Sequence, residues 1–436
     1  MGKYFGTDGV RGVAFEKLDA NLAYKIGQGL SHAIESKEVI IGYDTRLSSP
    51  MLAYMIAAGA LSEGCHVRFA GVCSTPMVAY YSKRKEIIGV MVTASHNPYT
   101  DNGIKVFNKG FKTTDDEEKV LEKFIDEPKG TIETFGTFEY AIDFKETYLE
   151  VYDQFELKQT DIKLAYDSAN GANYQIAHEL ISKVAPNSVQ IGNVPDGLNI
   201  NKGCGSTHME LIQSYVRENE LDLGFSFDGD GDRLLICDKD RVYDGDEIIY
   251  IISNYLKKKG LLAKNHVVLT KMSNPGILKA LKLNGIDYSL TDVGDKYVSL
   301  ELTSNDYIIG GENSGHIIMR NLLHTGDGLL VAMYLLAIIA EEDKSIAELT
   351  ADITLFPYQL INIKDVDKSI LKTDEMKRFL EDVKHSLGED SLLLVRPSGT
   401  ENLIRVTVSH QNEHIMKHTI LSIVSKIKNW GDENYA

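Results

Sequence analysis

A chain of 436 residues with a formal net charge of -17 is poorly suited to nucleic acid, and an anionic ligand would need a locally positive cleft. The length predicts about three domains and a core that needs no disulfides. The four cysteines, Cys65, Cys73, Cys204 and Cys237, lack Cys-x-x-Cys spacing, which suits a reducing cytosol.

The opening residues show no charged-then-apolar leader, and Gly6 stands where a myristoylation motif wants Ser or Thr. The longest apolar run, 329–340, is too short to span a bilayer and predicts a buried helix. A cytoplasmic protein without a membrane partner is therefore expected. Strand-like 39–43, helical 50–63, strand-like 67–70, helical 76–82 and strand-like 87–92 alternate as in a mainly parallel α/β sheet. A polar acidic helix over 113–122 and a helical segment over 143–155 close this first unit. The pattern restarts at 162–167 and ends in the strand 221–227; it restarts again at 266–270 and ends in the strand 307–310. A strand over 359–363 leads out, and helix 374–386, strands 392–395 and 403–408 and helix 413–428 then form an α+β unit. The expected fold is three similar α/β domains with mainly parallel sheets plus a smaller C-terminal α+β domain. Their expected bounds are 1–152, 153–255, 256–365 and 366–436.

Each unit delivers a polar loop. Thr93-Ala94-Ser95-His96-Asn97-Pro98 follows the apolar run 87–92, and Asn97-Pro98 ends that strand, so Ser95 sits at its carboxyl end, where open α/β sheets place ligands. Asp101-Asn102-Gly103-Ile104-Lys105 follows as a turn that returns a lysine toward the serine. In Asp228-Gly229-Asp230-Gly231-Asp232-Arg233 the glycines let three carboxylates converge, and such carboxylates repel unless a cation neutralises them. The loop is not an EF-hand, because Arg233 stands where that motif needs Gly and Lys239 where it needs Glu; Mg²⁺, which uses few protein carboxylates, fits better. Gly311-Glu312-Asn313-Ser314-Gly315-His316 sets a carboxylate, a hydroxyl and an imidazole in one loop after a strand. Arg396-Pro397-Ser398-Gly399-Thr400-Glu401 is either an ordinary hairpin turn or a loop that grips a phosphate dianion.

These four loops, the opening Tyr4-Phe5-Gly6-Thr7-Asp8-Gly9-Val10-Arg11-Gly12 and the closing Ile404-Arg405-Val406 together resemble the α-D-phosphohexomutase superfamily over nearly the whole chain. Asn199-Ile200-Asn201 and Cys204-Gly205-Ser206-Thr207-His208 resemble its phosphoglucosamine branch. Asn313 departs from that branch, which usually has Gln there, and Asn402 stands where it usually has Pro.

The resemblance implies a phosphorylated Ser95 that exchanges its phosphoryl group with a hexosamine phosphate through a 1,6-bisphosphate, feeding UDP-N-acetylglucosamine synthesis. It implies Mg²⁺ on Asp228, Asp230, Asp232 and the Ser95 phosphate, with the bisphosphate as activator. His96, Lys105 and Arg11 are the candidates for assisting proton transfer, and Glu312, Ser314, His316, Arg233, Arg396, Ser398, Gly399, Thr400 and Arg405 for binding substrate. The partner is a small sugar phosphate, and a homodimer stays open. A phosphomannomutase/phosphoglucomutase is the alternative within the superfamily. Outside it stand a phosphoserine hydrolase and a non-catalytic sugar-phosphate sensor, the latter disfavoured because Ser95 and all three aspartates are retained.

Overall fold

The strand Ile88–Val92 is buried along its whole length because it lies inside a sheet covered on both faces, as its continuous apolar sequence requires. The computed structural model describes residues 2–6, 8–127, 134–398 and 402–434, the last four without side-chain detail. Among them four sheets form.

In the first sheet His66–Val72, Glu38–Tyr43 and Ile88–Val92 are parallel neighbours, and Asp101–Asn108 returns antiparallel beside Ile88–Val92. The second sheet repeats this order with Val189–Ile191, Leu164–Asp167, Leu223–Phe227 and the antiparallel return Leu234–Cys237. The third repeats it with Asp287–Thr291, His266–Thr270, Ile309–Gly311 and Ile317–Met319. Each sheet thus has a parallel centre with an antiparallel extension, and each chemical loop joins the last parallel strand to its return. The fourth sheet, Tyr358–Lys364, Leu403–Ser409 and Leu392–Pro397, is wholly antiparallel and backed by Asp374–Leu387 and Glu413–Asn434. This is the α/β and α+β division expected from the sequence.

One apolar cluster runs from Ile40 to Ile346 through the first three units, whereas the fourth packs its own, from Ile363 to Ile427. No helix among the described residues is long and apolar enough to cross a membrane.

Three expectations need correction. Residues 101–105 are not a turn: Asp101–Asn108 is a strand pressed between Gly9–Val13 and Ile88–Val92, so Lys105 reaches the site from a sheet. The bound at 255/256 falls inside the helix Gly245–Lys258, whose capping box at Asp244 and Glu247 starts it and which packs on the third sheet. The strand Tyr358–Lys364 pairs along its length with Leu403–Ser409, so it opens the fourth unit and does not close the third.

Candidate active site

Ser95 leaves the buried strand with φ 51°, in the left-handed region, and is 1% exposed. Its hydroxyl donates to Asp228 Oδ2 at 2.6 Å, and His96 Nδ1 lies 3.3 Å from Ser95 Oγ. The aspartate loop reaches the serine because Gly229 has no side chain: a Cβ there would stand 2.6 Å from the Ser95 carbonyl oxygen.

Asp228, Asp230 and Asp232 each offer one carboxylate oxygen, all within 4.8 Å of one another, and all three side chains are buried. Asp230 Oδ1 and Asp232 Oδ1 receive no hydrogen bond among the described residues. Burial, and then the charges of Asp230 and Asp232, pushes the Asp228 carboxyl well above its ordinary range. Buried carboxylate oxygens without donors, beside a serine hydroxyl, are a donor set that fits a hard cation.

Positive charge surrounds this acidic centre. Lys105 Nζ lies 2.8 Å from Asp230 Oδ2, 3.0 Å from Asp232 Oδ2 and 3.2 Å from Asp8 Oδ2. Burial opposes its charge, but the three carboxylates outweigh burial and keep the ammonium protonated well above its usual range. Arg11 pairs with Asp8, and Lys112 joins Asp8 to Asp295 of the third unit. Arg233 Nε lies 4.0 Å from Asp228 Oδ2 and donates no hydrogen bond among the described residues. For His96, burial and then the cations Arg233 and Arg11 push the imidazole down to about 3, so it is neutral near pH 7.

Glu312 Oε1 accepts the Gly294 N–H at 2.9 Å, and its charge is felt by both Arg233 and Arg396. The Ser314 hydroxyl oxygen is buried and makes no hydrogen bond among the described residues. His316 is 4% exposed, with Nδ1 at 3.5 Å from Asp232 and Nε2 at 3.5 Å from Asp295. These contacts set His316 beside the acidic centre, between the second and third units. Arg396 and Arg405 face each other directly across the antiparallel pair of the fourth sheet. Burial and then Arg405 lower the Arg396 pKa, and Glu312 works against them. The Ser398 N–H bonds to Leu403 and its carbonyl accepts Lys368 Nζ at 2.7 Å. Gly399 and Thr400 lie outside the described residues.

Four models of the phosphoglucomutase/phosphomannomutase family match in order: α/β/α domain I over residues 2–131, α/β/α domain II over 140–242, α/β/α domain III over 244–356 and the C-terminal domain over 360–420. A phosphoglucosamine mutase of Bacillus cereus is 42% identical over 98% of this chain and 99% of its own. The chain belongs to the phosphoglucosamine mutase family. The same fold is found in a phosphoglucomutase/phosphomannomutase family protein of Burkholderia thailandensis, 21% identical, with TM-score 0.82 over 98% of this chain and 97% of that one. It recurs in an N-acetylphosphoglucosamine mutase of Aspergillus fumigatus solved with GlcNAc-6P and magnesium, 18% identical, with TM-score 0.65 over 98% and 96% of the two chains.

In this phosphoglucosamine mutase family member, sequence reasoning overlooked Asp8, Lys112 and Asp295 among the charges around the acidic centre. Asp8 stood inside a motif already noticed. Lys112 and Asp295 carry no comparable signal, because their pairing brings the first and third units together.

Proposed function

We propose that this enzyme interconverts glucosamine 6-phosphate and glucosamine 1-phosphate through phosphorylated Ser95 and a 1,6-bisphosphate. The observation that carries the reading is the buried Ser95 hydroxyl 2.6 Å from Asp228, in a group of three carboxylates fit for a cation. The bond from phosphorus to Ser95 Oγ breaks as a bond to the sugar O1 forms; the O1 hydroxyl gives up its proton and Ser95 Oγ takes one to become a hydroxyl, and the return from O6 runs the same exchange in reverse. The intermediate then turns, and its 6-phosphoryl group returns to Ser95. His96, with Nδ1 3.3 Å from Oγ, the charged Lys105 and Arg11 are the groups that assist these proton transfers and carry positive charge toward the phosphoryl oxygens. Asp228, Asp230 and Asp232 would hold Mg²⁺, which supplies positive charge to the phosphoryl oxygens when bound. We place the enzyme in the cytoplasm, and protein that has lost its phosphate should be recharged by added hexosamine bisphosphate.

Arg396 and Arg405 hold the phosphate that is not reacting, with Glu312 and Ser314 on the sugar. Replacing Arg396 with Ala should raise KM about 10- to 100-fold and lower kcat far less, since the lost hydrogen bonds act on the spectator phosphate in ground and transition states alike. Steady-state kinetics checks this, and an unchanged KM would move the phosphate grip elsewhere.

The test of the reading is a coupled assay of glucosamine 6-phosphate against glucose and mannose phosphates. A site that pairs the 2-amino group leaves buried partners unmatched when a hydroxyl replaces it, so kcat/KM should favour the amino sugar roughly tenfold or more. Asn313, one methylene shorter than the usual Gln, narrows that margin. Equal or reversed preference would assign the chain to phosphomannomutase/phosphoglucomutase chemistry.

A further inference from the structure

Arg46 is 1% exposed and plays no part in the chemistry described so far. Its guanidinium has five N–H donors, and all five are used. Nε donates to Asp44 Oδ2 at 2.8 Å, and Asp44 is itself fixed by the Arg46 N–H and by the Ser49 hydroxyl at 2.6 Å. Nη1 donates to the carbonyls of Pro98 and, at 3.1 Å, Asp101. Nη2 donates to the carbonyls of Ser95 at 2.8 Å and Asn97 at 2.9 Å. One buried cation therefore grips four carbonyl oxygens of the segment that carries the reacting serine.

The second unit grips the same place. Asn201 Nδ2 donates to the Ser95 carbonyl at 2.8 Å and to the Asn97 carbonyl at 3.2 Å, the two oxygens already held by Nη2. Asn201 is 6% exposed, so neither clamp is a surface contact. The clamped serine has φ 51°, which a side chain-bearing residue keeps only where its surroundings impose it.

On the reading of Ser95 as phosphoryl carrier, we infer that Arg46 and Asn201 are positioning residues that hold the Ser95 Oγ in line for transfer, from two units at once. Transfer to O1 and return from O6 each need the same oxygen in line with a different sugar hydroxyl, so an error in its position is felt twice per cycle. A fold pin would need only the Asp44 ion pair; the four carbonyls around the nucleophile are what such a pin leaves unexplained.

The test compares unmodified protein with Arg46→Lys and Asn201→Ala, using glucosamine 6-phosphate and reading kcat, KM and the ratio of released inorganic phosphate to mutase turnover. Lysine keeps the charge but offers three donors from one atom and cannot span four carbonyls. Arg46→Lys should lower kcat about 100-fold per folded molecule with KM within about threefold, because the sugar and spectator-phosphate contacts are untouched. The phosphate-release ratio should rise about tenfold or more as a loosened serine exposes its phosphoryl group to water. Asn201→Ala should show the same split with a smaller fall in kcat, and it decides the matter should Arg46→Lys not fold. Unimpaired kcat and an unchanged release ratio in the folded variants overturn the inference while the active unmodified chain upholds the reading of Ser95. An unmodified chain that turns over no sugar phosphate overturns both.

Discussion

Ser95→Ala protein is expected to fold normally and to lose at least about 10⁴-fold in mutase turnover, since removing a covalent nucleophile leaves only binding and electrostatics to act. Folding should survive because the loop is held through its carbonyls by Arg46 and Asn201, not through the serine side chain. The hydroxyl does contribute one hydrogen bond, to Asp228 Oδ2 at 2.6 Å, but its loss strips the donor from a carboxylate that still has the Arg233 N–H at 3.2 Å. Intact mass and peptide mapping should find phosphate on Ser95 in active unmodified protein and none at that position in the variant. The added phosphate carries about -1.5 to -2 charge at neutral pH. Arg233 Nε lies 4.0 Å from the Asp228 oxygen that accepts the Ser95 hydroxyl, and Lys105 touches Asp230 and Asp232 of the same loop, so positive charge stands close to where the phosphate would be carried. A Ser95→Ala protein with full activity would move the nucleophile to another residue.

How much of this was legible in the sequence depends on whether a signal was local. The strand Ile88–Val92 was readable because a β-branched run ends at Asn97-Pro98, which no strand can continue. Asn102-Gly103 was misread because Asn-Gly ordinarily marks a turn. In the fold Gly103 serves close packing: a Cβ there would stand 2.5 Å from the Thr93 carbonyl oxygen and 2.9 Å from that of Val10, so the glycine lets three strands pass side by side. The convergence of the three aspartates was legible because their spacing alone crowds them. The contacts of His316 with Asp232 and Asp295 were not legible, since they depend on the third unit closing on the second, and the isolated bridge between Arg233 and His316 has no trace in composition or period. The bound at 255/256 failed for a related reason: an apolar helix that packs on the following sheet looks the same in sequence as one that packs on the preceding sheet.

Metal removal should have the other large effect. Excess chelator is expected to abolish turnover and added Mg²⁺ to restore it, because Asp228, Asp230 and Asp232 form a buried cluster fit for a cation whose charge the moving phosphoryl group needs. Lys105 touches Asp230 and Asp232 and is shared with Asp8, while Asp228 has the Ser95 hydroxyl, the Arg233 N–H and a guanidinium nitrogen at 4.0 Å. Asp230→Asn is the sharper probe. Its Oδ2 already accepts the Thr75 hydroxyl at 2.6 Å and Lys105 at 2.8 Å, whereas the buried Oδ1 accepts no hydrogen bond among the described residues. An amide of the same size must place its NH₂ either against those two donors or on the side left for the cation. Either choice should weaken Mg²⁺ binding about 10- to 100-fold, with a comparable fall in turnover at limiting metal. Calorimetric titration of Mg²⁺ into the unmodified and variant proteins measures the binding directly, apart from activity. Equal affinity in the two would take Asp230 out of the metal set, and undiminished turnover of unmodified protein in excess chelator would take the metal out of the reaction.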